Sequence, residues 1–181
     1  MNSKKEKIII LGTSGSGKSF LMRKLIEKGL NPCIKWTTRP MRKYEEQGID
    51  YNFVSTLEFS ESINKDKFLT HQKFIVTPKN SLEQTWFYGI TLKEFDNSQV
   101  FIMTPVEFKD VTEDSRKECF VVYLDIDRNI RESRLYKRDD KNDSIKRRLD
   151  SDDIDFENPI DYDMRITDPD FGVDDIYNLM A

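Results

Sequence analysis

Residues 8–19 read Ile-Ile-Ile-Leu-Gly-Thr-Ser-Gly-Ser-Gly-Lys-Ser, an apolar run that passes directly into a G-x-x-x-x-G-K-[ST] loop. The run suits a strand buried on both faces, and Phe20, Leu21, Leu25 and Ile26 continue at helical spacing. Few folds accommodate a buried strand, a glycine loop and a helix in immediate succession. Three of the seven glycines of the chain stand within residues 12–17. They let the backbone wrap so that successive N–H groups converge on an anion at the positive end of the helix dipole. The spacing predicts phosphate contacts from Gly12, Ser14, Gly15, Ser16, Gly17, Lys18, Ser19 and Phe20. Lys18 would reach the β- and γ-phosphates, and the Ser19 hydroxyl would ligate Mg²⁺. The expectation is a site for a nucleoside triphosphate. A glycine-rich turn of purely structural origin would need neither flank.

At 181 residues the chain is of single-domain size, with room for a proper core. Its net charge of −4 provides no global basic field, so nucleic acid is not expected as a partner. Acidic residues concentrate between 150 and 175, and basic ones between 128 and 148. Cys33 and Cys119 show no C-x-x-C spacing and read as buried thiols in a reducing compartment. No apolar stretch reaches membrane-span length, and Met1-Asn2-Ser3-Lys4-Lys5 lacks a signal-peptide pattern. A cytoplasmic monomer or homodimer is expected.

Strand-like runs at 7–11, 32–35, 99–103, 119–124 and 164–166 alternate with helical patterns at 18–28, 106–111, 129–138, 143–150 and 173–180. Such alternation predicts an α/β fold with a mostly parallel sheet and its ligand at the C-terminal strand edge. Residues from about 38 to 95 differ: they are aromatic-rich, with capping-box starts at Ser55 and Thr91 and short strand-like pieces. They read as an insertion folding over one side of the sheet.

The next informative stretch is Thr37-Thr38-Arg39-Pro40-Met41-Arg42-Lys43-Tyr44-Glu45-Glu46-Gln47-Gly48-Ile49-Asp50-Tyr51-Asn52-Phe53-Val54-Ser55. Two arginines three apart supply planar forks suited to a second phosphate, and a tyrosine hydroxyl could share it. Taken singly, these residues also suit a charged surface loop. As a string they resemble the guanylate kinase family, which carries T-T-R-x-x-R-x-x-E-x-x-G-x-D-Y-x-F-V-S. The resemblance implies a phosphate-loop NTPase three-layer sandwich with a parallel sheet core (1–36 and 97–181). It also implies an inserted nucleoside-monophosphate-binding subdomain (about 37–96) and a helical lid (about 138–148). It assigns Arg39, Arg42 and Tyr51 to the acceptor phosphate and Glu45 to the same site.

Further along, Trp86-Phe87-Tyr88-Gly89 is similar to the family element that closes on that phosphate, which nominates Tyr88. Residues 130–149 are similar to the lid, where Arg138 and Arg148 would clamp the transferring phosphoryl group. Alternatively, arginines such as Arg131 and Arg134 form a solvated helix face paired with neighbouring acids. Ile166-Thr167-Asp168 falls where the family has Val-Asn-Asp, which places Thr167 beside the adenine of ATP. Asp125 and Asp127 suggest a metal pair at first sight, but helix capping by Asp127 is preferred. His71 reads as structural.

The pattern also breaks. Lys35 stands where the family commonly has Ser, Thr70 where it has Glu, and Ile90 where it has Ser or Thr. Met103-Thr104-Pro105-Val106 replaces Asp-x-Asp-x-Gln-Gly. Those family residues read guanine, the last element serving the metal region as well, and the segment 73–85 is longer than the usual connection, with His71, Gln72 or Gln84 available as polar contacts. The resemblance implies ATP-dependent phosphoryl transfer to a nucleoside monophosphate, GMP or dGMP first, with Lys18, Arg138 and Arg148 catalytic. Open alternatives are a same-fold kinase for another acceptor (a different or modified deoxynucleotide, or a sugar phosphate) and a catalytically silent binding module. A kinase acting on nucleic acid is a further rival.

Overall fold

The computed structural model describes residues 5–76, 82–137 and 145–178. In chain order the elements are β1 (Lys7–Gly12), α1 (Lys18–Glu27), β2 (Trp36–Thr37), β3 (Asn52–Phe53), α2 (Thr56–Asn64), β4 (Phe68–Val76), β5 (Gln84–Thr91) and α3 (Leu92–Asn97). There follow β6 (Val100–Ile102), α4 (Pro105–Lys109), α5 (Glu113–Lys117), β7 (Cys119–Leu124), α6 (Arg128–Lys137), α7 (Ile145–Asp155), β8 (Met164–Ile166) and α8 (Asp174–Asn178). They group into two compact units, Met1–Pro32 with Gln99–Ala181, and Cys33–Ser98.

The first unit is built on a parallel sheet of order β6-β1-β7-β8. Ile8 and Ile10, with Val100, Val122, Leu124 and Ile166, pack against Leu21 and Leu25 of α1 and Ile176 of α8. Ile9 takes the other face in register with Phe101 and Val121, and these three are also fully buried. A central strand covered on both sides explains the unbroken apolar run. Each such side chain contributes about 1.5–3 kcal/mol as an upper value. The α/β parallel core is therefore as expected. Residues 32–35 are not a strand: Pro32 makes an isolated bridge to Val100, and the next strand is Trp36–Thr37.

The second unit holds a sheet of order β3-β2-β5-β4, parallel only between β2 and β3. Its core is aromatic. Phe59 of α2 is fully buried and stacks on Phe68 at 4.4 Å, with Trp36 edge-on to Phe68 at 5.8 Å. Gly89 is required here, since a Cβ would lie 2.7 Å from the Phe68 ring. Both ends of the 73–85 segment are strand: β4 and β5 pair as far as Val76 and Gln84, so residues 73–76 and 84–85 extend a hairpin.

Ser55 and Thr91 cap α2 and α3 as expected, each accepting an N–H three residues on. The unexpected cap is Thr104. Its hydroxyl accepts from the Glu107 N–H at 3.2 Å, and the Glu107 carboxylate accepts from the Thr104 N–H at 2.7 Å. With Pro105 in the first turn, Thr-Pro-Val-Glu is a helix start. Asp127 accepts from Asn129 N–H at 2.8 Å, and Asp125 pairs with Arg165. Neither forms part of a metal cluster; among the described residues no group of three His, Cys, Asp or Glu could hold one. Cys33 and Cys119 are buried and unbridged. Among the described residues no helix is long and apolar enough to cross a membrane.

Candidate active site

The loop between β1 and α1 has the backbone its glycines permit. Gly12, Gly15 and Gly17 sit at φ +155°, +79° and +112°, where side chains are strained. A Cβ on Gly15 would meet the Arg131 carbonyl at 2.7 Å, so α6 packs directly on the loop. Gly17 caps α1 from the left-handed region with no side-chain cap bond, and the first turn of α1 has no acid. By contrast, α2, α3, α4 and α5 each start under a Ser or Thr hydroxyl. The start of α1 thus presents N–H groups and dipole to a ligand anion.

Lys18 folds back over this loop, donating to the Gly12 and Thr13 carbonyls at 2.7 and 2.8 Å. Ser19 is exposed in the first turn of α1, and Ser16 Oγ is buried without a partner among the described residues. An orphaned hydroxyl and an uncapped helix start fit a polyanion. The Phe20 ring points elsewhere, edge-on to Phe171 at 6.1 Å.

Behind the loop, Arg134 donates to the carbonyls of Gly15 (3.3 Å), Ser16 (3.2 Å) and Pro169 (2.8 Å). It ties the loop to the segment after β8, where Thr167 is exposed. Arg134 is therefore no solvated helix-face residue, and neither is Arg131, which is 6% exposed. Arg131 Nε donates to the Ile126 carbonyl at 2.9 Å, and its other nitrogens lie 3.8 Å from Asp152 and 3.9 Å from Asp153. Arg128 pairs with Asp150 and Asp153. Arg128 and Arg131 of α6 thus face Asp150, Asp152 and Asp153 of α7. Sequence reading missed Asp152, which accepts from the Ser14 amide and hydroxyl; no local signal marks it out from its acidic neighbours on α7. Arg148 is half-buried on α7. Arg138 lies outside the described residues.

The second cluster belongs to the other unit. Arg39 is 5% exposed and forks onto both Glu45 oxygens at 3.0 and 2.6 Å. The same carboxylate accepts the Arg42 N–H at 2.7 Å, and the Arg42 side chain is exposed. Tyr51 lies under the Arg39 guanidinium at 5.4 Å, and its ring meets Tyr88 at 6.0 Å. Arg39 N–H donates to Thr37 Oγ1 at 3.1 Å, anchoring the turn to β2. The five residues nominated for an acceptor phosphate are thus brought together around one buried ion pair.

Electrostatics follow this packing. Burial alone would lower the Arg39 pKa, but the Glu45 bonds and neighbouring charges hold it raised. The Arg39 bond holds the Glu45 carboxyl below its ordinary value, against an opposing push from burial. Burial raises the Tyr88 phenol, opposed by Arg39. On this sheet Thr70 is 2% exposed and Ile90 fully buried. A groove of about 290 Å³ beside Pro105, Phe108, Arg116 and Asp155 contains no phosphate-loop residue, and its Arg116 is already matched by Asp161 and Asp163.

Comparison with known proteins agrees with this geometry. A family model described as guanylate kinase matches residues 4–180. A guanylate kinase of Rickettsia felis is 31% identical over 171 residues, covering 91% of this chain and 85% of that protein. One from Rickettsia bellii is 28% identical over 180 residues, covering 95% and 91%. The crystal structure of guanylate kinase from Anaplasma phagocytophilum shares the fold, with a TM-score of 0.67 at 20% identity over 98% of this chain and 86% of that one. The chain belongs to the guanylate kinase family of nucleoside monophosphate kinases.

Proposed function

We propose that the protein transfers the γ-phosphoryl group of ATP to a nucleoside monophosphate, GMP or dGMP in the first instance, yielding the diphosphate and ADP. The observation that carries this reading is the start of α1, which alone among the helices α1–α5 lacks a side-chain cap and follows a loop of three left-handed glycines. Lys18 beside it supplies a positive charge, seated on the Gly12 and Thr13 carbonyls.

In this reading Arg39, Arg42, Tyr51 and Tyr88 grip the acceptor phosphate, with Glu45 aligning both arginines. No general base is needed, because a monophosphate with a second pKa of about 6 is largely a dianion at neutral pH. One of its oxygens bonds to the γ-phosphorus while the bond from that phosphorus to the bridging oxygen breaks and ADP leaves. Lys18, Arg138 and Arg148 would offset charge on the transferring group, each well-placed cation being worth on the order of 10³ in rate. The Ser19 hydroxyl would hold Mg²⁺, whose charge would be available to offset that of the donor phosphates. Thr167 would adjoin the adenine. A cytoplasmic location accompanies this reading.

One observation favours a second acceptor. The positions where the family has Glu and Ser or Thr are here Thr70 and Ile90, both buried, so no carboxylate reads the base from there. Guanine then loses the discrimination that unpaired polar groups enforce. ADP release from Mg·ATP with each ribo- and deoxyribonucleoside monophosphate separates the two. Selective turnover of GMP or dGMP supports the first reading. Selective turnover of another monophosphate supports the second, and silence across the panel contradicts both.

A further inference from the structure

The phosphate loop holds an anion of its own. Asp152, on α7, accepts the Ser14 amide N–H at 2.7 Å and the Ser14 hydroxyl at 3.2 Å, so both carboxylate oxygens rest on one loop residue. The residues are 138 apart in sequence, and the Asp152 side chain is only 15% exposed. Helix α7 is thereby fastened to the proposed donor site by a charge of the same sign as ATP.

A second observation identifies where that charge can go. Arg131 is 6% exposed, and its Nη1 is buried with no hydrogen-bond partner among the described residues. That nitrogen lies 3.8 Å from the Asp152 carboxylate, beyond bonding distance. A buried guanidinium N–H left unmatched is costly, and a shift of the carboxylate by about 1 Å would match it. Asp152 therefore stands between two donors, Ser14 and Arg131, and bonds one of them. The Arg131 carbonyl also abuts Gly15, so the receiving residue is itself packed on the loop.

We propose that Asp152 is a positioning residue that competes with the phosphates of ATP for the loop and passes from Ser14 to Arg131 when ATP binds. The arrival of ATP and the transfer of Asp152 from the loop to Arg131 of α6 are then one event. The competition lowers the apparent affinity for ATP by the fraction of molecules in which Asp152 holds the loop. The inference rests on the reading that ATP occupies this loop.

Calorimetric titration of ATP without acceptor tests it on wild type, Asp152→Asn and the double variant Arg131→Leu/Asp152→Ala. The asparagine keeps the shape and removes the charge. The double variant leaves no buried charge unpaired and so guards against misfolding. Both should bind ATP about 5- to 50-fold more tightly than wild type, whereas a merely structural Asp152 would give unchanged or weaker binding. Equal or weaker binding by both variants overturns the proposal. Lys18→Ala runs alongside: if it binds ATP as wild type does, the loop reading fails and the competition falls with it. Tighter binding by the variants together with loss by Lys18→Ala supports both.

Discussion

Glu45→Gln isolates what the buried arginine of the acceptor cluster gains from its carboxylate. Arg39 is 5% exposed and bonded to both Glu45 oxygens, which also hold the Arg42 backbone N–H. An amide of the same size offers one oxygen and turns an N–H toward the guanidinium. Removing one partner of a buried pair is destabilising by about 3–5 kcal/mol. The Glu45 side chain keeps 15% of its exposure, so water recovers part; about 2–4 kcal/mol is expected. At this chain length that lowers the melting temperature by about 5–15 °C. Both tryptophans, Trp36 and Trp86, lie in the same unit as the pair, so fluorescence melting reports on it directly. The pH dependence has a definite sign. Because the native pKa of Glu45 is depressed, its contribution is complete above the ordinary carboxylate value of about 4.3 and is lost as pH falls through the native pKa. The gap between variant and wild type should therefore be widest at pH 7 and close in acid. A wild-type melting temperature at pH 7, or an equal deficit at pH 7 and pH 3, would refute the reasoning.

Other perturbations address the remaining links. Lys18→Ala should abolish ADP release in the presence of acceptor while leaving the melting temperature within about 2 °C; retained turnover would remove Lys18 from the chemistry. Arg42→Ala loses an exposed charge that the proposed site assigns to the acceptor phosphate, so the acceptor KM should rise about 10- to 100-fold and kcat should fall; unchanged acceptor dependence would remove Arg42 from the site. Gly15→Ala forces a Cβ against the Arg131 carbonyl at a φ of +79°; ATP affinity should fall at least about tenfold, measured by titration. Gly89→Ala pushes on the Phe68 ring from 2.7 Å; a loss of about 1–3 kcal/mol is expected in denaturant unfolding followed by tryptophan fluorescence.

The fold was legible where one local rule decides the outcome. The run 8–11 is too short for a helix and suits a central strand, and the glycine loop that follows it leads straight into a helix, so the parallel core followed from a few residues. That the residues nominated for the acceptor would cluster was legible because they lie close in sequence, from Arg39 to Tyr51, with Tyr88 brought in by the hairpin. Long-range charge was not. Arg131 and Arg134 have the local pattern of an exposed helix face, and only packing on the loop shows that one is buried against Asp152 and the other bonded to loop carbonyls. Nothing local to Asp152 distinguishes it from Asp150 or Asp153. The Thr104 box is hidden for a different reason: Met103-Thr104-Pro105-Val106 differs from the family element by its missing carboxylates, and Glu107, the residue that completes the cap, lies one place beyond. Residues 32–35 carry β-compatible side chains, but Pro32 withholds an N–H from any ladder.

The most direct test of the central claim follows the phosphoryl group itself. ATP labelled at the γ-phosphate is mixed with the enzyme and the monophosphate that the substrate panel selects. The account predicts label in the nucleoside diphosphate, in equal amount to ADP formed, and none of either with Lys18→Ala. Label appearing only as inorganic phosphate, or ADP formed at the same rate without any acceptor, would contradict it.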